Sequence, residues 1–255
     1  MVRRLQLRVT GNIKVNDTPS QRHVQIVVVS HSRTMDFEVD QSIFAACSSL
    51  IASGVRVSRG LHVGDADLAG ARNLVLAGFM ASPCTDLMLI DNDVSCEPGS
   101  IERLLSHPVD LVAGAYPKRV EGGGYPVRTL PGVRTFVDTV TGEHSPTGLL
   151  RVGGAPTGFM RLTRACVEKM IAAYPDSWYD DERAPNGRAW NLFEFAVRDR
   201  KRWTEDLYFC QRWIEIGGTV WVDPHMVLHH HGTKTYSGRF ADFIANVAKA
   251  EAGAQ

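Results

Sequence analysis

The first half of this chain alternates between strand-like and helix-like patterns, and this alternation restricts the fold more than any other feature. Continuous apolar runs predict buried strands, and apolar residues at helical spacing predict amphipathic helices. The predicted strands cover residues 24–29, 55–57, 86–90 and 110–115, and the predicted helices cover 37–53, 68–81 and 99–106. Strands that alternate with helices predict right-handed crossovers, so we expect an α/β fold with a mainly parallel sheet flanked by helices.

The second half has a different texture. From residue 120 onward, glycine and proline separate short β-rich pieces, for example at Gly122-Gly123-Gly124 and Pro131-Gly132. This composition predicts hairpins and loops rather than further crossovers. A helix is predicted over residues 163–174, and 176–203 is predicted to be a long loop of the kind that is a lid, a binding loop or disordered. Residues 1–22 show no clear period and are typical of an edge hairpin or an arm.

Composition limits the class of protein. The 255 residues are 44% hydrophobic and 22% charged, with 28 basic and 28 acidic side chains. A net charge of zero argues against a dedicated nucleic-acid coat protein. Five cysteines without a C-x-x-C motif indicate reduced, buried thiols and a cytoplasmic location, which is the host cytoplasm if the chain is phage-encoded. No apolar run approaches the ~20 residues of a membrane span.

Two carboxylates, Asp91 and Asp93, stand directly after the predicted strand 86–90. Ligands bind at the carboxyl ends of the strands in α/β sheets, and hard oxygen ligands suit Mg²⁺ or Mn²⁺. An isolated D-x-D is also typical of an acidic turn that caps a helix. Arg72-Asn73 stands near the start of the helix before this strand, where a guanidinium could bind a phosphate.

Two further motifs favour a catalytic site. Thr204 is a good helix N-cap, and Glu205-Asp206 would stabilise the first helical turn, but a carboxylate facing a cleft can also remove a proton from a nucleophile. His229-His230-His231 is followed by Gly232. In a strand, His229 and His231 would point one way and His230 the other, and neutral imidazole is a common metal ligand.

These ordered motifs resemble those of GT-A fold glycosyltransferases that use nucleotide sugars, in particular the family-2-like group with bacterial and phage members. The resemblance covers about residues 24–238. It implies a single GT-A domain over residues 1–255, with a Rossmann-like sheet and a smaller β-rich acceptor-side region. The implied parts are a nucleotide-sugar-binding half (24–119), an acceptor-side half (120–238) and a C-terminal helix or tail (239–255).

The resemblance also implies roles for individual residues. Asp91-Asn92-Asp93 is similar to the family's metal-binding D-x-D, and the H-x-G pattern falls on His230-His231-Gly232, so the implied metal ligands are Asp91, Asp93 and His230. Glu205-Asp206 is similar to the E-D pair, in which the Asp is the base of inverting members, so the implied catalytic residues are Asp206 and Glu205. Gly154–Phe159 resembles the acceptor-side glycine segment. The implied donor-binding residues are Ser30, His31, Ser32, Arg33, Asp65, Arg72 and Asn92.

The function that follows is a metal-dependent, inverting glycosyltransferase of the hexosyltransferase type. It would use Mn²⁺ or Mg²⁺ and a nucleoside-diphosphate sugar, commonly a UDP-sugar in this family. The acceptor hydroxyl would belong to a glycan or to a hydroxymethylated base in DNA, and a lipid-linked glycan, a protein and a small molecule stay open. Arg198–Arg202 and Lys118-Arg119 are basic clusters of the kind that usually forms a solvated face, but beside the cleft they could bind a phosphate-bearing acceptor. The alternatives are a sugar-phosphate nucleotidyltransferase, although residues 29–33 lack its glycine-rich loop, and a non-catalytic nucleotide- or glycan-binding protein.

Overall fold

A seven-stranded sheet lies at the centre of the structure, a computed structural model that describes residues 21–32, 34–130 and 148–253. In spatial order its strands, numbered along the chain, are β2 (Arg56–Val63), β1 (His23–Ser30), β3 (Asp86–Asp91), β7 (Phe159–Thr163), β5 (Leu111–Gly114), β12 (Val220–Asp223) and β6 (Leu150–Val152). β1 pairs in parallel with β2 and β3, and β5 with β12, whereas β7 and β6 are antiparallel to their neighbours. The prediction of a mainly parallel sheet flanked by helices is confirmed.

Helices cover both faces of this sheet. They are α1 (Phe37–Ala52), α2 (Leu68–Met80), α3 (Ser100–Ser106), α4 (Arg164–Ala173), α5 (Glu205–Glu215) and α6 (Phe240–Ala252). Successive residues of β3 alternate between the faces, so Leu87 and Leu89 pack with α2, α4 and α5, while Met88 and Ile90 pack with α1 and α3. Two apolar layers therefore hold the strand that ends at Asp91.

Three smaller sheets are added around this centre. One joins β14 (Tyr236–Arg239), β13 (Val227–His230) and β4 (Val94–Cys96), and two hairpins join β8 (Trp178–Asp180) to β9 (Arg188–Trp190) and β10 (Ala196–Arg198) to β11 (Lys201–Trp203). The prediction of a loop without regular structure over 176–203 is therefore wrong, because two hairpins built from three-residue strands and a 3₁₀ turn at Pro175–Ser177 lie there, while a role as a lid or binding loop stays a prediction. Strands this short give too few alternations to be read from a sequence.

Other predicted elements agree with the structure to within two residues, with two differences. β2 extends to Val63, whereas the prediction ended at residue 57. The strand was predicted too short because its polar and glycine residues are untypical of a buried strand, and β2 is a half-exposed edge strand. The short strand β4 stands between the D-x-D motif and α3, where no strand was predicted. Residues 1–20 lie outside the described ranges.

The five cysteines are unpaired, although Cys47 and Cys96 are only partly buried. None of the helices in the described ranges is both long and apolar enough to span a bilayer.

Candidate active site

β3 delivers Asp91 to the carboxyl edge of the sheet. The amide of Asp91 donates a hydrogen bond of 3.0 Å to the carbonyl of Gly158 on the neighbouring strand segment. Its side chain points to the face of the sheet that α2 and α5 cover, where Arg72 Nη2 donates to Asp91 Oδ1 at 3.0 Å. The first carboxylate of the D-x-D motif is thus held by an ion pair with α2.

Arg72 is a buried cation that pairs with two carboxylates. The residue is only 3% exposed, and its guanidinium pairs with Asp91 and with Glu205 at the start of α5. Burial alone would lower the pKa of Arg72, but Asp91 and Glu205 outweigh it and raise that pKa. For Glu205, burial again disfavours the charged form, which for a carboxyl group raises the pKa. Arg72 opposes this rise without cancelling it. The guanidinium therefore faces two protein carboxylates, and phosphate binding by Arg72 stays a prediction.

Tyr116 lies among the acidic side chains and was not singled out from the sequence. Burial raises its pKa well above the ordinary value, and Asp91, Asp206 and Asp93 each raise it further. Its ring meets that of His230 edge-on, with centroids 4.9 Å apart. The one signal in the sequence is position, because Tyr116 follows β5 by two residues, at the same edge of the sheet as the D-x-D motif.

Gly158 leaves the space in which Asp91 and Tyr116 approach the backbone of the β7 segment. A Cβ atom at position 158 would collide with Oδ2 of Asp91 and the hydroxyl of Tyr116. Any larger residue would push both side chains out of position. The glycine therefore permits this close approach, and its backbone has no positive φ.

The second carboxylate of the motif, Asp93, faces His230. Asp93 Oδ2 lies 3.7 Å from His230 Nε2, and His230 Nδ1 is 2.9 Å from the carbonyl oxygen of Pro117. A carbonyl accepts only from a protonated nitrogen, so this contact assigns a proton to Nδ1 and leaves Nε2 facing Asp93. Burial opposes ionisation of Asp93, but His230 and Arg119 outweigh it and keep its pKa below the ordinary value.

The neighbouring histidines are engaged elsewhere. His229 contacts Ser237 Oγ at 2.8 Å and Glu97 Oε1 at 3.0 Å. His231 contacts Ser95 Oγ at 2.7 Å, and its amide donates to the carbonyl of Asp93. Of the three imidazoles, His230 is therefore the one whose ring nitrogen faces a carboxylate of the D-x-D motif.

Asp93 and His230 are two of the three predicted metal ligands, and Asp93 Oδ2 faces His230 Nε2. Ligand distances of about 2.1 Å allow two donor atoms up to ~4 Å apart to share one small ion. Asp91 does not join them, and no cluster of three or more His, Cys, Asp or Glu side chains suited to a metal occurs within the described ranges. Arg119 Nη1 lies 2.9 Å from Asp93 Oδ2, so this guanidinium takes the place next to the carboxylate that a cation would need.

The start of α5 presents Asp206 beside this cluster. Thr204 is the N-cap residue, but its hydroxyl bonds Asp206 Oδ1 instead of a backbone amide of the helix. The amide of Leu207 also donates to Asp206 Oδ1, at 2.7 Å. Asp206 Oδ2 has no hydrogen-bond partner among the described residues. One oxygen is therefore fixed, and the other is available to a ligand.

Asn92 connects the D-x-D motif to the segment after β1, which was predicted to bind the donor nucleotide sugar. Asn92 Nδ2 donates to the carbonyl of Thr34 at 2.9 Å, which ties the β1–α1 connection to the motif. Ser30 donates to the carbonyl of Ser32 at 2.7 Å, and His31 is exposed beside it. Arg33 lies outside the described residues.

Asp65 is held by a different part of the chain. Asp65 Oδ2 pairs with Arg183 Nη1 at 2.9 Å, and Asp65 Oδ1 accepts from the amide of Asp67. Arg183 belongs to the turn between β8 and β9. The structure thus gathers Arg72, Asp91, Asp93, Asp206 and His230 around Tyr116, with Glu205 paired to Arg72. Asp65 and the Ser30–Ser32 turn are stabilised by contacts of their own.

Comparisons with known proteins found no matching family model and no matching curated protein. Among solved structures, A197 from STIV matches with a TM-score of 0.50 and 14% identity, over 86% of this chain and 91% of that one. The catalytic domain of Drosophila β1,4-galactosyltransferase 7, in complex with xylobiose, matches with a TM-score of 0.40 and 13% identity over 85% and 70% of the two chains. A glycosyltransferase involved in glycosylation of the major capsid of PBCV-1 matches with a TM-score of 0.33 and 11% identity over 60% and 66%. The first likeness shows a shared fold, and the two lower scores carry no argument.

Proposed function

We propose that this chain is a metal-dependent, inverting glycosyltransferase that transfers a sugar from a nucleoside-diphosphate sugar to an acceptor hydroxyl. One observation carries the proposal: Asp93 with His230, and Asp206, whose Oδ2 has no partner among the described residues, lie around the same buried Tyr116 at the carboxyl edge of the sheet. Ligands of α/β sheets bind at this edge. A cation site next to a candidate base is what transfer from a diphosphate requires.

The residues of the chain would divide the chemistry between them. Asp206 Oδ2 would accept the proton of the acceptor hydroxyl, which is a poor nucleophile at neutral pH. Arg72 would hold Asp91 and the start of α5 in fixed relation through its two ion pairs. A divalent cation bound by Asp93 and His230 would neutralise negative charge on the leaving diphosphate. A base and a leaving group on opposite faces of the sugar give inversion.

The two halves of the proposed domain would then have separate tasks. Residues 24–119 would bind the nucleotide sugar, with the turn after β1, Asp65 and Asn92 along the donor edge. Residues 120–238 would bind the acceptor. A mutant of Drosophila β1,4-galactosyltransferase 7 has been solved in complex with manganese, UDP-Gal and xylobiose. Mn²⁺ and a UDP-sugar, which the motif resemblance implies, are the first cofactor and donor to test here.

The β10–β11 hairpin favours an anionic acceptor. Its turn carries Asp199 and Arg200 at φ of 52° and 61°, in the left-handed region that non-glycine residues seldom adopt. Arg198 pairs with Glu215 Oε1 at 2.6 Å, which docks one face of the hairpin on α5. Arg200 and Lys201 are exposed and have no partner among the described residues. The hairpin leads directly into the N-terminus of α5, which carries Asp206, so a polymer such as phosphate-bearing glycan or DNA would reach both.

Hydrolysis and transfer assays test the proposal directly. Purified protein is incubated with a panel of nucleotide sugars and Mn²⁺, and nucleoside diphosphate release is measured without acceptor and with a panel that includes glycans and hydroxymethylated DNA. We expect release that a chelator abolishes and that Mn²⁺ or Mg²⁺ restores. Full activity in excess chelator would contradict the metal role of the D-x-D motif.

A pair of variants provides the control. Asp93→Ala should abolish turnover while the circular dichroism spectrum is unchanged. Glu97→Ala removes an exposed carboxylate directly after β4, next to His229 rather than His230. It should retain turnover close to that of the wild type.

A further inference from the structure

The side of the molecule formed by α1 and β2 exposes a row of large apolar side chains. Phe37, Phe44 and Ile51 are 67%, 67% and 61% exposed and are spaced seven residues apart on α1. Residues at this spacing form one narrow stripe along a helix. The stripe lies away from Val39, Ile43, Ala46 and Leu50, which are the residues that α1 buries against the sheet.

β2 extends this apolar surface. Arg59 of β2 pairs with Asp40 of α1, so the side chain of Arg59 lies on the α1 side of the sheet. Leu61 and Val63 share that side, because alternate residues of a strand point the same way, and they are 56% and 39% exposed. β2 is also an edge strand of the seven-stranded sheet, and natural edge strands are usually covered or blunted.

We propose that this surface binds a second copy of the chain, with the two α1 helices antiparallel about a two-fold axis at Phe44. The spacing is symmetric, because Phe37 and Ile51 are each seven residues, about 10 Å, from Phe44. An axis at Phe44 brings the two Phe44 rings together and places each Phe37 beside the Ile51 of the other copy. An isologous contact requires this kind of self-complementarity.

Charge supports the antiparallel direction. The charged residues of α1 are Glu38 and Asp40, both in its first turn, and the rest of the helix carries none. A parallel pair would bring the acidic turns of both copies together. The antiparallel pair lays each acidic turn beside the uncharged half of the partner helix and also aligns the helix dipoles favourably.

The area available matches what a stable dimer needs. An aromatic side chain can bury about 200 Å², so covering the exposed parts of the two phenylalanines and the three aliphatic residues removes roughly 500 Å² per copy. Both copies together then lose about 1,000 Å² from these five side chains alone, which is the lower limit for a specific interface. The surrounding helix surface adds to this area.

Sedimentation velocity of the full chain at micromolar concentrations tests the proposal. We expect a reversible dimer, twice the 28.1 kDa of one chain. Phe44→Glu and Phe44→Lys should each raise the dissociation constant at least about 30-fold, the effect of losing a central anchor residue. An equimolar mixture of the two variants should associate again, because Glu and Lys would then face each other across the axis.

A control variant on another surface makes the test specific to the α1 stripe. Val197→Glu changes a side chain that is 74% exposed on the β10–β11 hairpin, and the dimer should persist. A wild-type chain that stays monomeric, a dimer that survives Phe44→Glu, or a variant mixture that stays monomeric would overturn the proposal. Residues 1–20 precede Gln21, which contacts Gly54 near the end of α1. A chain that dimerises only after their removal would show that this segment covers the stripe, which would also overturn it.

Discussion

Arg72 Nη2 lies 3.0 Å from Asp91 Oδ1, and this ion pair joins α2 to the end of β3 at the carboxyl edge of the sheet. The same guanidinium holds Glu205, which is 133 residues away along the chain. One buried cation thereby fixes the position of the D-x-D motif relative to the start of α5, and so relative to Asp206.

The first prediction is that Arg72→Gln destabilises the protein through its two carboxylates. Removing one partner of a buried ion pair leaves an uncompensated charge and costs about 3–5 kcal/mol. Urea unfolding of Arg72→Gln should show a loss of this order. The double variant Arg72→Gln with Glu205→Gln should recover part of this lost stability, because the second change removes the buried carboxylate that has lost its partner. Strictly additive losses would contradict the coupling.

The second prediction concerns the metal ligand. His230→Ala should weaken Mn²⁺ binding in calorimetric titrations by more than the ~10–100-fold that loss of an outer-shell partner costs. His229→Ala is the matched control, since His229 faces Ser237 and Glu97, and it should bind Mn²⁺ nearly as the wild type does. A larger loss for His229→Ala than for His230→Ala would refute the assignment.

The third prediction concerns the basic hairpin. Anionic single strands bind with an affinity whose logarithm falls by about 0.7 per phosphate contact for each tenfold increase in salt. Replacing Arg200, Lys201 and Arg202 by glutamine should therefore reduce the salt slope for a labelled single-stranded oligonucleotide by up to about 2. The equally charged control Lys169→Gln/Arg239→Gln/Lys249→Gln, on other surfaces, should leave the slope unchanged. Equal slopes for both triple variants would rule the hairpin out.

The fourth prediction is a pH dependence of stability at Asp223. This carboxylate accepts from Arg103 and His107. Burial opposes its ionisation, but the bonds from Arg103, the amide of His225 and His107 outweigh it and lower its pKa. A folded-state pKa below the unfolded value of about 3.9 contributes stability above that pH, which is lost as pH falls through the folded-state pKa.

Asp223→Asn should therefore lower the free energy of unfolding by about 2 kcal/mol at neutral pH, as loss of charged hydrogen bonds does. The difference between variant and wild type should shrink below about pH 4. Denaturant melts from acidic to neutral pH measure both quantities. A difference that is constant over this range would show that the charge of Asp223 does not contribute.

The elements that the sequence predicted well are those whose signal is local. Residues 86–90 form a continuous apolar run, and the structure places them in β3 with Asp91 at its end. α1 and α2 also follow from apolar spacing, because a helix must bury one stripe. By contrast, β8 to β11 are three residues each and carry no period that a sequence could reveal.

The candidate site depends on contacts that no local pattern encodes. The pairing of Arg72 with Glu205 and the position of Tyr116 beside His230 join residues more than 100 positions apart. The motif resemblance named Arg72, Glu205 and His230 but not Tyr116 or Arg119. Glu205 was explained from sequence by the helix dipole, whereas the structure gives it a buried cation as partner.

The fifth prediction bears on the central claim, that Asp206 is the base of a glycosyl transfer at this site. Asp206→Asn keeps the shape of the side chain and removes its basicity, so it should lower turnover by about 10²–10⁴-fold while donor-nucleotide affinity changes little. Glu205→Gln is the matched control from the same helical turn, and with the pairing of Glu205 to Arg72 its effect should appear in stability more than in turnover.

The decisive measurement is the single-turnover rate of sugar transfer from a nucleotide sugar, with Mn²⁺ and the best acceptor of the panel, for wild type, Asp206→Asn and Glu205→Gln. The account predicts a rate that collapses in Asp206→Asn alone, with all three proteins binding the nucleotide sugar with similar affinity. A near-wild-type rate for Asp206→Asn would contradict it.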